Sequence, residues 1–138
     1  MDRAVELAGF FAAHGIWCVS NGESLTPMLA QESAANGRNM LRFAAEQLED
    51  GVAQAQIHLE SNPDQSERAA LVYDGYITLP TGRTDALFLV IRSYVAPVAT
   101  LTITVPYRHA ESSDGFAVHR PKFVEWQGDG SPNYRTSA

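Results

Sequence analysis

Residues 69–107 read AALVYDGYITLPTGRTDALFLVIRSYVAPVATLTITVPY. The stretch splits into Ala69–Leu79, Thr84–Tyr94 and Val98–Tyr107, separated by Pro80-Thr81-Gly82-Arg83 and Val95-Ala96-Pro97. β-Branched and aromatic residues fill the segments, and most of the Pro and Gly lies between them, which predicts an antiparallel β-meander. If residues 80–83 form the first loop, Leu79 pairs with Thr84; if residues 95–97 form the second, Tyr94 pairs with Val98. Because side chains alternate, these registers assign every residue to a face. The first face holds Val72, Asp74, Tyr76, Leu87, Leu89, Ile91, Leu101, Val105 and Tyr107. The second holds Leu71, Tyr73, Ile77, Phe88 and Val90, with a row formed by Thr100, Thr102 and Thr104.

Upstream, Asp2 to His14 has helical spacing, with Leu7, Phe10, Phe11 and His14 on one stripe and Gly15 as its stop. Ile16–Val19 reads as a short strand and Ser20-Asn21-Gly22 as a turn, while Glu23–Ala35 fits either a short helix opened by Pro27 or a loop. Leu41, Ala45, Leu48, Val52, Ala55 and Leu59 then recur at helical steps. They predict one long helix over residues 39–61, running through Gly51 despite a propensity cost of about 1 kcal/mol. A hairpin turn at Asp50-Gly51 with a strand over residues 54–59 is the competing reading. Asn62-Pro63-Asp64 stops the helix. Its hydrophobic stripe is expected to cover the first sheet face.

After the meander, residues 108–115 form a polar loop. Phe116–Trp126 reads as a fourth strand, placed at an edge by Pro121, which lacks a donor for the ladder. Residues 128–138, rich in Gly, Ser, Pro and Asn, are expected to form a mobile tail. The prediction is one α+β domain of two layers over residues 1–138, its helices packed on an antiparallel sheet of four to five strands.

Composition narrows the function classes. The 138 residues carry a net charge of −6 with Lys122 as the one lysine, against what a general nucleic-acid binder needs. Residues 1–67 hold ten acidic and three basic side chains, so the acidity is concentrated in the helical half. There is no apolar run of the roughly 20 residues that a membrane span requires. The N-terminus opens an amphipathic pattern without a signal-peptide layout, so a cytoplasmic location is expected.

The residues with chemical potential are few. Cys18 and His14 are four apart, but a helix stop at Gly15 would separate them, and the neighbours of Cys18 are apolar, as for an inert packing thiol. The four histidines lack metal-ligand spacing. Neither a metal site nor a cofactor is expected, and no residue is assigned to catalysis. Arg108, His119 and Arg120 form the main cationic concentration, suited to a carboxylate or phosphate, or to protecting a strand end. Asp74, flanked by Tyr73 and Tyr76 in mid-strand, either needs a hydrogen-bond donor on the helix-facing side or is turned into solvent by a bulge at Gly75. The expected binding residues are therefore Asp74, Tyr76, Arg108, His119 and Arg120.

These features point to a small binding or interaction module with a small-molecule or protein ligand. The second sheet face, left without a helix, would make it a homodimer. The alternative is a small-molecule hydrolase or isomerase using Asp74 or Glu23 with a histidine between sheet and helix.

Overall fold

The computed structural model describes residues 1–128. Two helices and seven strands follow one another as α1 (Asp2–Ser20), β1 (Met28–Ser33), β2 (Gly37–Arg42), α2 (Leu48–Ser61), β3 (Arg68–Leu79), β4 (Gly82–Ser93), β5 (Ala99–Arg108), β6 (Ala117–Val118) and β7 (Lys122–Gly128). The strands form one antiparallel sheet in the order β2-β1-β3-β4-β5-β6, with β7 also on β5. The α+β class holds, but the two-layer arrangement of four to five strands does not: the helices lie on opposite faces of a larger sheet. The tail expected to be mobile lies outside the described residues, except for Gly128, which ends β7. No helix among the described residues is long and apolar enough to cross a membrane.

The meander is where the sequence placed it. The register between β4 and β5, with Ile91 opposite Leu101 and Ser93 opposite Ala99, is the one the second turn predicts. The first turn is tighter than expected. Pro80 and Thr81 alone span it and Leu79 pairs with Gly82, so each β3 residue meets a β4 partner two positions earlier than predicted. A shift of two preserves the side-chain period, so both faces keep their residues. Pro121 separates β6 from β7, and both occupy the far side of β5.

The helices correct the sequence reading. Gly15 does not stop α1, which continues through the segment expected to be a strand. Instead it brings the helix close to the sheet: a Cβ there would lie 3.3 Å from both Leu25 and Val72. Ala4, Ala8, Ala12 and Cys18 continue this small-residue face, with the buried Leu7 among them, across the first sheet face, over Ala70, Val72, Leu87 and Ile91. The helix ends where Ser20 Oγ and Asn21 Nδ2 donate to the Trp17 carbonyl, before Gly22 at φ +74°.

The helix predicted over residues 39–61 begins only at Leu48. Residues 37–42 are instead the second strand of a hairpin, turned by residues 34–36 with Gly37 at φ +67° and the Asn36 N–H bonded to Ser33 Oγ. Only Leu41 and Ala45 of the predicted seam precede Leu48, and Leu41 serves equally on a strand. From Leu48 the helix holds through Gly51, and Asn62 closes it in the left-handed conformation, its side chain bonded to the backbone of Ser66. It covers the second face rather than the first, packing Ala55 and Leu59 on Leu29, Ala69 and Leu71. Glu60 pairs with Arg92 and the Tyr94 hydroxyl donates to the Leu59 carbonyl, tying the end of α2 to the end of β4.

Gly51 and Gly9 separate packing from propensity. A Cβ at Gly51 would lie 2.3 Å from the Phe43 carbonyl oxygen, whereas at Gly9 it would meet nothing within 4 Å. Gly9→Ala is expected to stabilise the protein by about 1 kcal/mol in urea unfolding. Gly51→Ala is expected to destabilise it by about 1–3 kcal/mol, because backbone must move to admit the methyl group.

Candidate functional site

β1 pairs with β3 only as far as Met28 opposite Val72. β3 runs on with β4 to Leu79, so from Tyr73 onward its other edge has no strand partner among the described residues. The twelve residues of β3 extend about 40 Å, against about 21 Å for the fourteen of α2. A cleft of about 620 Å³ opens beside this uncovered edge. One wall is the first half of α2, with Leu48, Glu49, Val52, Ala53 and Gln56; the other is Tyr73–Tyr76 with Arg83 and Asp85.

Local packing shapes that second wall. Tyr73 and Phe88 stack with centroids 5.0 Å apart and planes at 6°. Gly75 makes room for the Phe88 ring, since a Cβ at Gly75 would sit 3.0 Å from its edge. Burial pushes the Tyr73 hydroxyl above its ordinary pKa, so it stays protonated and is a donor. Arg83 lies over the Tyr76 ring, its guanidinium carbon 3.7 Å from the centroid. This cation–π contact gives the mouth of the cleft a flat, positively charged rim.

Asp74 is not re-aimed by a bulge. The β3–β4 register runs unbroken through Gly75, and Asp74 stays half-buried on the first face. Its Oδ1 accepts from the Tyr107 hydroxyl at 2.8 Å and from the Gly75 N–H at 3.0 Å. Burial raises the Asp74 carboxyl above the ordinary range, and the charge of Asp85 adds to this. The Tyr107 and Gly75 hydrogen bonds, with a smaller influence from His109, oppose the shift. Tyr107 is pushed far above its ordinary value by burial and by the carboxylate it serves.

The other expected binding residues are used differently. Arg108 Nε donates to the Gly115 carbonyl at 2.7 Å, and its Nη2 reaches the Asp114 carbonyl at 3.2 Å, so this fork clamps its own loop. The His119 N–H bonds to the Pro106 carbonyl while the residue itself and Arg120 are exposed. Asp74 and Tyr76 therefore share the cleft, and Arg108, His119 and Arg120 do not line it.

Cys18 and His14 lie one turn apart on α1, with Sγ 3.6 Å from Nε2, because Gly15 leaves the helix intact. Burial, aided by Glu23 and opposed by Arg42, raises the thiol pKa. The thiol is therefore protonated at neutral pH and a poor nucleophile. His58 Nε2 lies 3.1 Å from Asp64. No group of three or more His, Cys, Asp or Glu among the described residues could hold a metal ion.

The sequence reading singled out neither Arg83 nor the α2 wall. Arg83 reads as a turn residue until the turn is known to be Pro80-Thr81. Glu49, Val52, Ala53 and Gln56 do share one helical stripe, which is a signal available in the sequence.

The raised Asp74 pKa fixes a sign. A carboxyl whose folded-state value exceeds its unfolded one favours folding most when protonated, and that contribution is lost as pH rises through the folded-state value. Asp74→Asn keeps an oxygen acceptor for Tyr107 and Gly75 but removes the charge. Its melting temperature should match the parent near pH 3 and exceed it increasingly as the pH rises above the ordinary aspartate value of about 3.9. A constant offset across that range would count against burial as the cause.

Compared with protein-family models, curated proteins and solved structures, the chain matches none.

Proposed function

We propose that this protein is a binding module whose ligand is a small, flat, largely apolar molecule held in the cleft between α2 and the β3–β4 hairpin. The observation that carries the reading is the cleft itself. Its volume of about 620 Å³ falls in the range typical of small-molecule sites, and Leu48, Val52, Ala53 and the two tyrosine rings give it apolar surface beside the charged groups Glu49, Asp74, Arg83 and Asp85. Tyr73, Tyr76 and Val52 offer surfaces for an aromatic or alicyclic body, and Arg83 offers a partner for an anionic substituent. The enzyme alternative, a carboxylate–histidine site between sheet and helix, is supported by the raised Asp74 carboxyl. It lacks a histidine hydrogen-bonded to Asp74 or Glu23 among the described residues.

Anilinonaphthalene sulfonate, an aromatic anion, is a direct probe. It should bind the folded protein with enhanced fluorescence, and Ala53→Trp, which fills the cleft from an exposed helix position, should remove most of that signal. Unchanged binding to the folded Ala53→Trp protein would overturn the reading.

A second reading is self-association through the rest of the second sheet face. α2 lies over β1 and β3, with Val90 at the margin of its cluster, and reaches β4 through Glu60 and Arg92, while Phe88, Thr100 and Thr102 are half-buried and no residue of β5 joins the α2 cluster among the described residues. A two-fold dimer would cover the face, the threonines supplying both methyl and hydroxyl contacts. Sedimentation should then give a dimer that Thr102→Arg, or Asp in place of both Phe88 and Val90, converts to a folded monomer. A parent protein that is monomeric at high micromolar concentration would exclude it.

A further inference from the structure

β2 ends the sheet among the described residues, so one side of its backbone is open. α1 passes beside this edge with its outer flank largely exposed: Phe10 is 63% exposed, with the Arg38 guanidinium 5.3 Å from its ring centre, and Trp17 is 59% exposed. Between flank and strand lies a nearly all-apolar groove of about 520 Å³, lined by Phe10, Phe11, Ala13, His14 and Trp17 with Met40 and Arg42. An open strand edge bordered by an apolar groove is the geometry by which an extended peptide is taken up as an added strand.

Charge and register specify the occupant. Arg38, Met40 and Arg42 alternate along β2, opposite Glu32, Ala30 and Met28 on the α1 side of the sheet. Glu32 Oε2 pairs with Arg38 and Oε1 with Arg68, each at 2.8 Å, so one carboxylate serves two guanidiniums. Arg42 makes no salt bridge among the described residues. A second copy of the chain fits badly, because antiparallel pairing centred on Met40 sets Arg38 of each protomer against Arg42 of the other. The charges that keep copies of this edge apart favour an acidic strand.

We propose that β2 and the adjoining flank of α1 form a docking groove for an extended segment of another protein, with acidic residues opposite Arg38 and Arg42 and a large apolar residue opposite Met40. The intervening side chains of the segment point to the other face, beside Asn39 and Leu41. The apolar residue fills the groove against Phe10 and Trp17, while the backbone completes the open edge. This site is separate from the cleft beside α2, and either can fail without the other.

The test uses the full chain and a short synthetic peptide, Thr-Glu-Thr-Phe-Thr-Glu-Thr with blocked ends, against its counterpart with lysine for glutamate. In nitrogen-15 NMR titration, the acidic peptide should shift amides of residues 37–42 and of the α1 flank from Phe10 to Trp17. The lysine peptide should bind about tenfold more weakly, the effect of two cross-strand charge pairs reversed in sign. Trp17→Ala should weaken binding of the acidic peptide, and Arg42→Glu, which breaks no salt bridge, should narrow or invert the preference. Ala53→Trp should leave it unchanged. Equal affinity for both peptides, shifts centred elsewhere, or no shift at millimolar peptide would overturn the proposal. So would a dimer of the protein alone that is held through β2.

Discussion

A strand sends alternate side chains to opposite sides of its sheet, and the first half of β3 is apolar on both. Ala70 and Val72 point one way and Ala69 and Leu71 the other, and all four are buried. Two separate covers are therefore required, one for each side of the sheet. α1 supplies the first through a face of small residues that permits close approach, and α2 the second through Ala55 and Leu59. The buried strand β1 follows from the same demand, since β3 needs a hydrogen-bonded neighbour on the side opposite β4.

The parts of this arrangement legible in the sequence are those fixed by neighbours in the chain. The three meander strands, the β4–β5 register, the division of residues between faces and the helix end at Asn62 all depend on local alternation and turn chemistry. The length of α1 was not legible, because a glycine inside a helical pattern serves equally as a stop or as a point of close contact. Gly15 is the second kind only because Leu25 and Val72 stand beside it. β2 was hidden for a related reason: Leu41 fits a helical seam and a strand alike, and the hairpin that decides between them is set by Gly37. α2 is expected on the first face because that face is nearly continuous hydrocarbon and the apolar stripe of the helix needs a partner. Once α1 extends over nineteen residues, it takes that face instead.

The candidate site was partly legible. A carboxylate in mid-strand between tyrosines is a local anomaly, and Asp74 does carry a raised pKa and a tyrosine partner. The cleft beside it was not, since its existence depends on where β1 stops along β3, a pairing between residues some forty positions apart. The cationic cluster misled for a different reason. Arg108 has donors suited to an anion, but two backbone carbonyls of its own loop already occupy them.

The point where β1 leaves β3 also has a kinetic meaning. β3 finds β4 across a two-residue turn, whereas β1 must find β3 across β2 and all of α2. The entropy of closing a chain grows with the length closed, so the meander and the β1–β2 hairpin are the cheap contacts of this sheet and the β1–β3 pairing the costly one. The cleft has its floor in the meander, and its upper limit is the last pair of that costly contact, Met28 with Val72. α2, the other wall of the cleft, rests on Leu29 of β1 as well as on Leu71 of β3, so the position of that wall is tied to the docking of the outer hairpin.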